Sequence, residues 1–72
     1  MSSRPFDLLN ESLGKEVLVV IKGNLSFRGT LKAFDIHMNV VLENAEELLD
    51  GETKKKYGKL MLRGDTVILI SP

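Results

Sequence analysis

Seventy-two residues without a cysteine, ten basic against ten acidic, exclude a disulfide framework, a thiolate zinc site and any global attraction to nucleic acid. A chain this short buries only about 60% of the surface its unfolded form exposes, so one domain over 1–72 is expected, with self-association supporting a thin core. Apolar runs far short of the roughly 20 residues of a membrane span, and no apolar leader after Met1, make a cytoplasmic protein without membrane contact the expectation.

Residues 4–13 read as a short helix. Ser2 or Ser3 can cap it, Pro5 suits its first turn, Asp7 favours the positive end of its dipole, and Gly14 stops it. Phe6, Leu9 and Leu13 share a face, widened by Leu8, and so short a helix must lie on something to be stable. Residues 15–70 supply five strands. The first, Lys15 to Lys22, holds the β-branched run Val17-Leu18-Val19-Val20-Ile21, apolar on both faces; Gly23-Asn24 turns it into the second. That second strand, Leu25 to Asp35, places Phe27, Gly29, Leu31 and Ala33 on one face, with Phe34 on the otherwise polar one. Gly29 in mid-strand predicts a bend or bulge.

A polar turn, Asp35-Ile36-His37, leads to a third strand with Met38, Val40 and Leu42 on one face, running on towards Glu46-Glu47. Asp50-Gly51 is a strong turn pair. The fourth strand, Thr53 to Arg63, begins with Lys54-Lys55-Lys56 and carries Gly58 in its middle, an echo of Gly29. A second polar turn, Arg63-Gly64-Asp65, precedes the apolar fifth strand, Thr66 to Ile70. The sum is a mainly β fold: a short N-terminal helix and a five-stranded, strongly bent open barrel of the small SH3-type kind. The apolar edges fall on the late fourth strand and the fifth, and pairing them head to tail between copies closes a ring.

Four side chains from the two polar turns form a candidate base-reading cluster. His37 and Arg63 offer flat surfaces for stacking, Asn39 offers an acceptor and two donors to a base edge, and Asp65 can fix the Asn39 amide. Each has a plainer use as well, since Asp35 and Asn39 stabilise turns and Gly64-Asp65 is an ordinary hairpin pair. Arg4 with Phe34 is a candidate second nucleotide contact, against helix packing as the alternative for Phe34. Asp35, His37 and Asp65 could instead hold a metal or form a base with its orienting partner. No nucleophile motif and no phosphate-binding glycine loop accompanies them, so no catalysis, cofactor or metal is expected. The lysine run reads as a solvated face. A small barrel acting as a protein adaptor, with partner strands on its edges, is the competing function.

Two segments, Asp35-Ile36-His37-Met38-Asn39-Val40-Val41-Leu42 and Arg63-Gly64-Asp65-Thr66-Val67, together resemble the paired signature of the Sm and Sm-like (Lsm) family. The opening Arg4-Pro5-Phe6-Asp7 and the terminal Ile70-Ser71-Pro72 resemble its archaeal branch, and the helix-plus-five-strand order matches the family over essentially the whole chain. The resemblance implies a homo-oligomeric ring, usually of seven copies, that binds uridine-rich single-stranded RNA at its pore rim as a scaffold or chaperone, with RNA-processing proteins as further partners. It implies a uracil stacked between His37 and Arg63 and bonded by Asn39, with Asp65 holding that amide and Gly64 bringing a backbone N–H to the base. Repetition of Arg63 around the ring would concentrate positive potential at the pore.

Overall fold

The computed structural model describes residues 5–72. Helix α1, Pro5–Ser12, is followed by five strands: β1 Glu16–Val20, β2 Leu25–Phe34, β3 Val40–Leu49, β4 Glu52–Leu62 and β5 Leu69–Ser71. All pair antiparallel in one sheet of order β4-β3-β2-β1-β5. The sheet curls on itself without closing, so β4 and β5 are its two edges, as the apolar pattern predicts.

The turns follow from their residues. Gly14 takes a φ of +82° and ends the helix; its N–H donates to the Leu31 carbonyl at 2.8 Å, so the helix stop also ties onto β2. Asp50 and Gly51 both have positive φ, 53° and 83°, between the paired residues Leu49 and Glu52. A two-residue hairpin of that kind needs the left-handed region twice, which Asp-Gly supplies.

The sheet bends through bulges. Between the pairs Arg28–Glu46 and Thr30–Glu43 the extra residue lies on β3, where Asn44 adopts a φ of 53°. Gly29 faces this bulge: a Cβ there would lie 3.0 Å from both the Ala45 Cα and the Glu43 carbonyl oxygen. A second shift, between Leu31–Leu42 and Ala33–Val41, puts an extra residue on β2. No bulge accompanies Gly58: the β3–β4 register runs unchanged across it and shifts only between Glu47–Lys55 and Leu48–Thr53. Gly58 has open space at its Cβ position, so no close backbone approach requires it.

Curling buries one face. Leu31, Leu42, Val17, Val19 and Val40 are almost wholly enclosed, joined by Leu9, Phe27, Ala45 and Leu48. Burial of each such side chain is worth about 1.5–3 kcal/mol. Of the expected helix stripe only Leu9 is deep; Phe6, Leu8 and Leu13 remain about 40–50% exposed because a helix of little more than two turns covers only the mouth of the curl. Phe6 leans on Phe34, ring centroids 5.7 Å apart.

Most boundaries shift by a residue or two, and the two differences that bear on the site fall at the polar turns. Met38 lies outside β3, with a φ of 63°, yet its side chain still packs against the core. The fifth strand begins only at Leu69, since Gly64–Thr66 winds into a single 3₁₀ turn (η1) first.

Candidate nucleic-acid interface

The Asp35–Asn39 turn is built around one carboxylate. Asp35 Oδ1 accepts the His37 N–H at 2.9 Å and the Asn39 N–H at 3.1 Å, while Oδ2 accepts the Asn39 Nδ2–H at 3.0 Å. An aspartate that folds the chain onto its own side chain is the usual start of such a turn. The Asn39 amide above all, then the backbone N–H groups of Asn39 and His37, hold the Asp35 carboxyl below its ordinary value of 3.8.

The η1 turn docks onto this one. Gly64 N–H donates to Asn39 Oδ1 at 2.8 Å, a contact that links chain segments far apart in sequence. The approach leaves no room for a side chain, since a Cβ on Gly64 would overlap the His37 carbonyl oxygen and lie 2.9 Å from the Met38 carbonyl carbon. Glycine is required here for space, not for its φ. The turn is tied internally by the Thr66 hydroxyl donating to the Arg63 carbonyl at 2.7 Å and by the Thr66 N–H to the same oxygen at 3.0 Å.

Docking brings the five predicted side-chain and backbone groups together. His37, Asn39, Arg63, Gly64 and Asp65 line one open depression of about 520 Å³. Within it the roles differ from the expectation in two respects. Asp65 does not hold the Asn39 amide: its Oδ2 accepts from the Arg63 guanidinium at 3.2 Å, and the amide is held by Asp35 instead. The Gly64 N–H is spent on Asn39 Oδ1. Both corrections share a cause, because the chain reversal at Met38 puts Asn39 beside the carboxylate that starts its own turn.

Asn39 therefore has one N–H and one oxygen lone pair engaged, and one of each free. An adjacent donor and acceptor, held in fixed order, suit the edge of a base. The exposed His37 ring and the Arg63 guanidinium add flat surfaces. Arg63 is paired with the Asp65 carboxylate, so within one subunit its charge is offset in place.

Arg4, half of the candidate second contact, lies outside the described residues; Phe34 is half-buried against Phe6. The lysine run lies exposed on β4, and Lys54 is the extra residue of the β3–β4 bulge. Among the described residues no group of three or more acidic or imidazole side chains is gathered to hold a metal ion, and no helix is long and apolar enough to cross a membrane. Asp35 is the functional residue that sequence reasoning under-used. Its signal is the spacing, an aspartate two residues before His37 and four before Asn39, which is the reach of a side chain closing its own turn.

The chain is 57% identical over all 72 residues to a snRNP Sm-like protein of Pyrococcus furiosus, of which it covers 95%. The fold superposes with a TM-score of 0.94 on the Sm protein of Pyrococcus abyssi solved in complex with a uridine heptamer, at 53% identity over 97% of this chain and 99% of that one. It also superposes, with a TM-score of 0.89, on the SmAP1 heptamer of P. aerophilum, at 40% identity over 100% of this chain and 96% of the other. Residues 7–72 match the LSM domain, and with relatives this close over its full length the chain belongs to the Sm-like (LSM) family.

Proposed function

We propose that this protein forms a homo-oligomeric ring, a heptamer, that holds uridine-rich single-stranded RNA at its pore rim and performs no chemistry of its own. A cytoplasmic scaffold or chaperone in RNA metabolism, met there by RNA-processing proteins, is the role that fits. The observation that carries this reading is the depression lined by His37, Asn39, Arg63, Gly64 and Asp65, with an Asn39 amide fixed at both ends and still offering a donor and an acceptor. The P. abyssi protein, bound to a uridine heptamer, supports the ligand, and the heptamer of P. aerophilum supports the assembly.

The edges supply a route to the ring. Met61 on β4 and Ile68 and Leu69 at β5 are 65%, 65% and 48% exposed, which is a wasteful surface for a lone subunit. Pairing one copy's β4 with the next copy's β5 covers them. Each site binds one nucleotide weakly, and several copies acting on one strand gain affinity through effective concentration. With Arg63 paired to Asp65, base stacking and the Asn39 edge carry the preference rather than phosphate attraction.

Fluorescence anisotropy of labelled oligouridine against oligoadenosine, at near-physiological salt, tests this reading. The expected result is a clear preference for oligouridine by a ring whose mass is confirmed by native mass spectrometry. Equal, steeply salt-dependent binding would mean that charge alone is acting. Absence of binding to both would bring forward the adaptor function.

A further inference from the structure

We infer that the lysine-bearing half of the β4 edge is a docking strip for an extended acidic segment of a partner protein, which adds a strand beside residues 55–58. The strip lies away from the docked polar turns and takes no part in base recognition. β4 runs for 11 residues and β5 for only three, so a neighbouring copy's β5 cannot cover the whole of β4. The apolar end, Leu60-Met61-Leu62, is the match for the exposed Ile68 and Leu69. Residues 52–59 are left over, and all but Tyr57 are exposed.

The backbone of the strip is open to pairing. β4 is the sheet's outer strand, bonded on one side to β3, and among the described residues its other side makes no backbone hydrogen bond. Strand addition draws its affinity from such a row of N–H and C=O groups and its selectivity from the side chains beside them. Here those side chains are lysines, and the carboxylates around them are engaged elsewhere. Glu46, opposite Lys56 in the register, accepts from the Thr53 hydroxyl at 2.8 Å and pairs with Arg28 at 3.8 Å. Glu47, opposite Lys55, accepts from the Tyr57 hydroxyl at 2.9 Å. Lys54 is paired with Glu52 at 3.3 Å, while among the described residues Lys55 and Lys56 meet no carboxylate. Lys55 lies over the Tyr57 ring instead, 5.2 Å from its centre. Gly58 adds an opening: nothing lies within 4 Å of its Cβ position, and a mid-strand glycine suits a place where an outside backbone comes close.

Edge lysines have a plainer use, as a guard against pairing with a second copy. The same charges serve both ends. A second β4 laid along this edge sets lysine near lysine and is refused, whereas an acidic strand turns repulsion into attraction. Alternation sends Lys55 to one face of the strand and Lys56 to the other, so the matching segment carries consecutive acidic residues between strand-forming ones. Lys54, the bulged residue, turns the strand and marks the outer end of the strip.

The probe is a short labelled peptide with a run of glutamates between valines and threonines, followed by anisotropy on the intact assembly. One control replaces the glutamates by lysines. A second keeps the glutamates but carries methyl groups on alternate backbone nitrogens, which preserves the charge and removes strand donors. The glutamate peptide should bind and both controls should fail. Reversing Lys55→Glu together with Lys56→Glu should weaken the glutamate peptide by about tenfold or more, with oligouridine affinity unchanged. If that variant does not assemble by native mass spectrometry, Lys55→Gln with Lys56→Gln removes the charges without reversing them and is read in the same way. Equal binding of the methylated peptide would overturn the inference, since charge alone would then be acting. So would a glutamate peptide that does not bind, or whose affinity ignores the lysines. Loss of oligouridine affinity in the lysine variants would assign the run to the RNA backbone and overturn it as well. Oligouridine preference of the wild type is measured separately, so the RNA-binding reading and the docking strip fail independently.

Discussion

Two polar regions of this molecule use similar residues to opposite ends. Along β2, β3 and β4 runs an ion-pair ladder: Arg28 with Glu46 at 3.8 Å, and Glu43 shared between Lys32 at 3.7 Å and Lys59 at 3.6 Å. At the two docked turns stands the cluster of Asp35, Asn39 and Gly64, with bonds of 2.8–3.1 Å. The ladder joins side chain to side chain on strands that the sheet already pairs. Its cations are exposed, its glutamates half-buried, and all are long and loosely spaced, so it fixes little. The cluster joins side chains to backbone just beyond the last paired residues of β2, β3 and β4, and it decides where the groups of the candidate site lie. Polar contacts specify geometry when they end on backbone and decorate it when they end on other exposed side chains.

The largest expected effect comes from breaking the cluster at its tightest point. Gly64→Ala places a methyl group on the His37 carbonyl oxygen, and neither backbone can yield without opening the docked turns. A loss of about 3 kcal/mol is expected, at the upper end for overpacking, read by urea denaturation and accompanied by loss of oligouridine binding. His37→Ala should separate the two readouts. The ring is exposed, so stability should hold. Stacking on one flat side chain is worth about 1–3 kcal/mol per base, and oligouridine affinity should fall by at least that at each site.

The two regions also differ in how far they can be read from the residues alone. Strand order, hairpin turns and the apolar edges follow from alternation, Gly23-Asn24, Asp50-Gly51 and the run Val67 to Ile70, because each is a local pattern. His37, Asn39, Arg63, Gly64 and Asp65 are likewise legible as a set, since they sit at two turns that a curled sheet brings together. Their internal partners are not. Asp35 and Asp65 are both short acids within reach of Asn39 on paper, and only the left-handed backbone at Met38 decides for Asp35. No spacing rule predicts a positive φ at a methionine, whose side chain the core must also accept. Gly58 differs from Gly29 for a related reason: space demands a mid-strand glycine only where a neighbouring backbone comes close, as at Gly29 and not at Gly58.

Acid should loosen the cluster at its central carboxylate. Asp35 titrates below 3.8 in the folded protein, so its contribution is fully present above the unfolded value of 3.8 and is lost as pH falls through the lower folded value. The stability difference between wild type and Asp35→Asn, followed by urea denaturation, should therefore be constant above 3.8 and shrink below it. A difference that stays flat through that window would mean that the Asp35 bonds contribute by shape alone.

The smallest effect belongs to the centre of the ladder. Glu43 touches two lysines, one on each neighbouring strand, which makes it the residue with most to lose if the ladder held the sheet together. Glu43→Gln keeps the size of the side chain and removes the charge. Exposed ion pairs at these distances are worth about 0–1 kcal/mol each, and much of that is screened by salt. The expected loss is below about 0.5 kcal/mol, vanishing at high salt, with oligouridine affinity unchanged. Lys32 and Lys59 regain water when the charge goes, so no group is left stranded. Were the loss instead comparable to that of Gly64→Ala, the ladder would be holding the curl of β2 against β4, and the division between specifying and decorating contacts would fail on the residue where it is easiest to check.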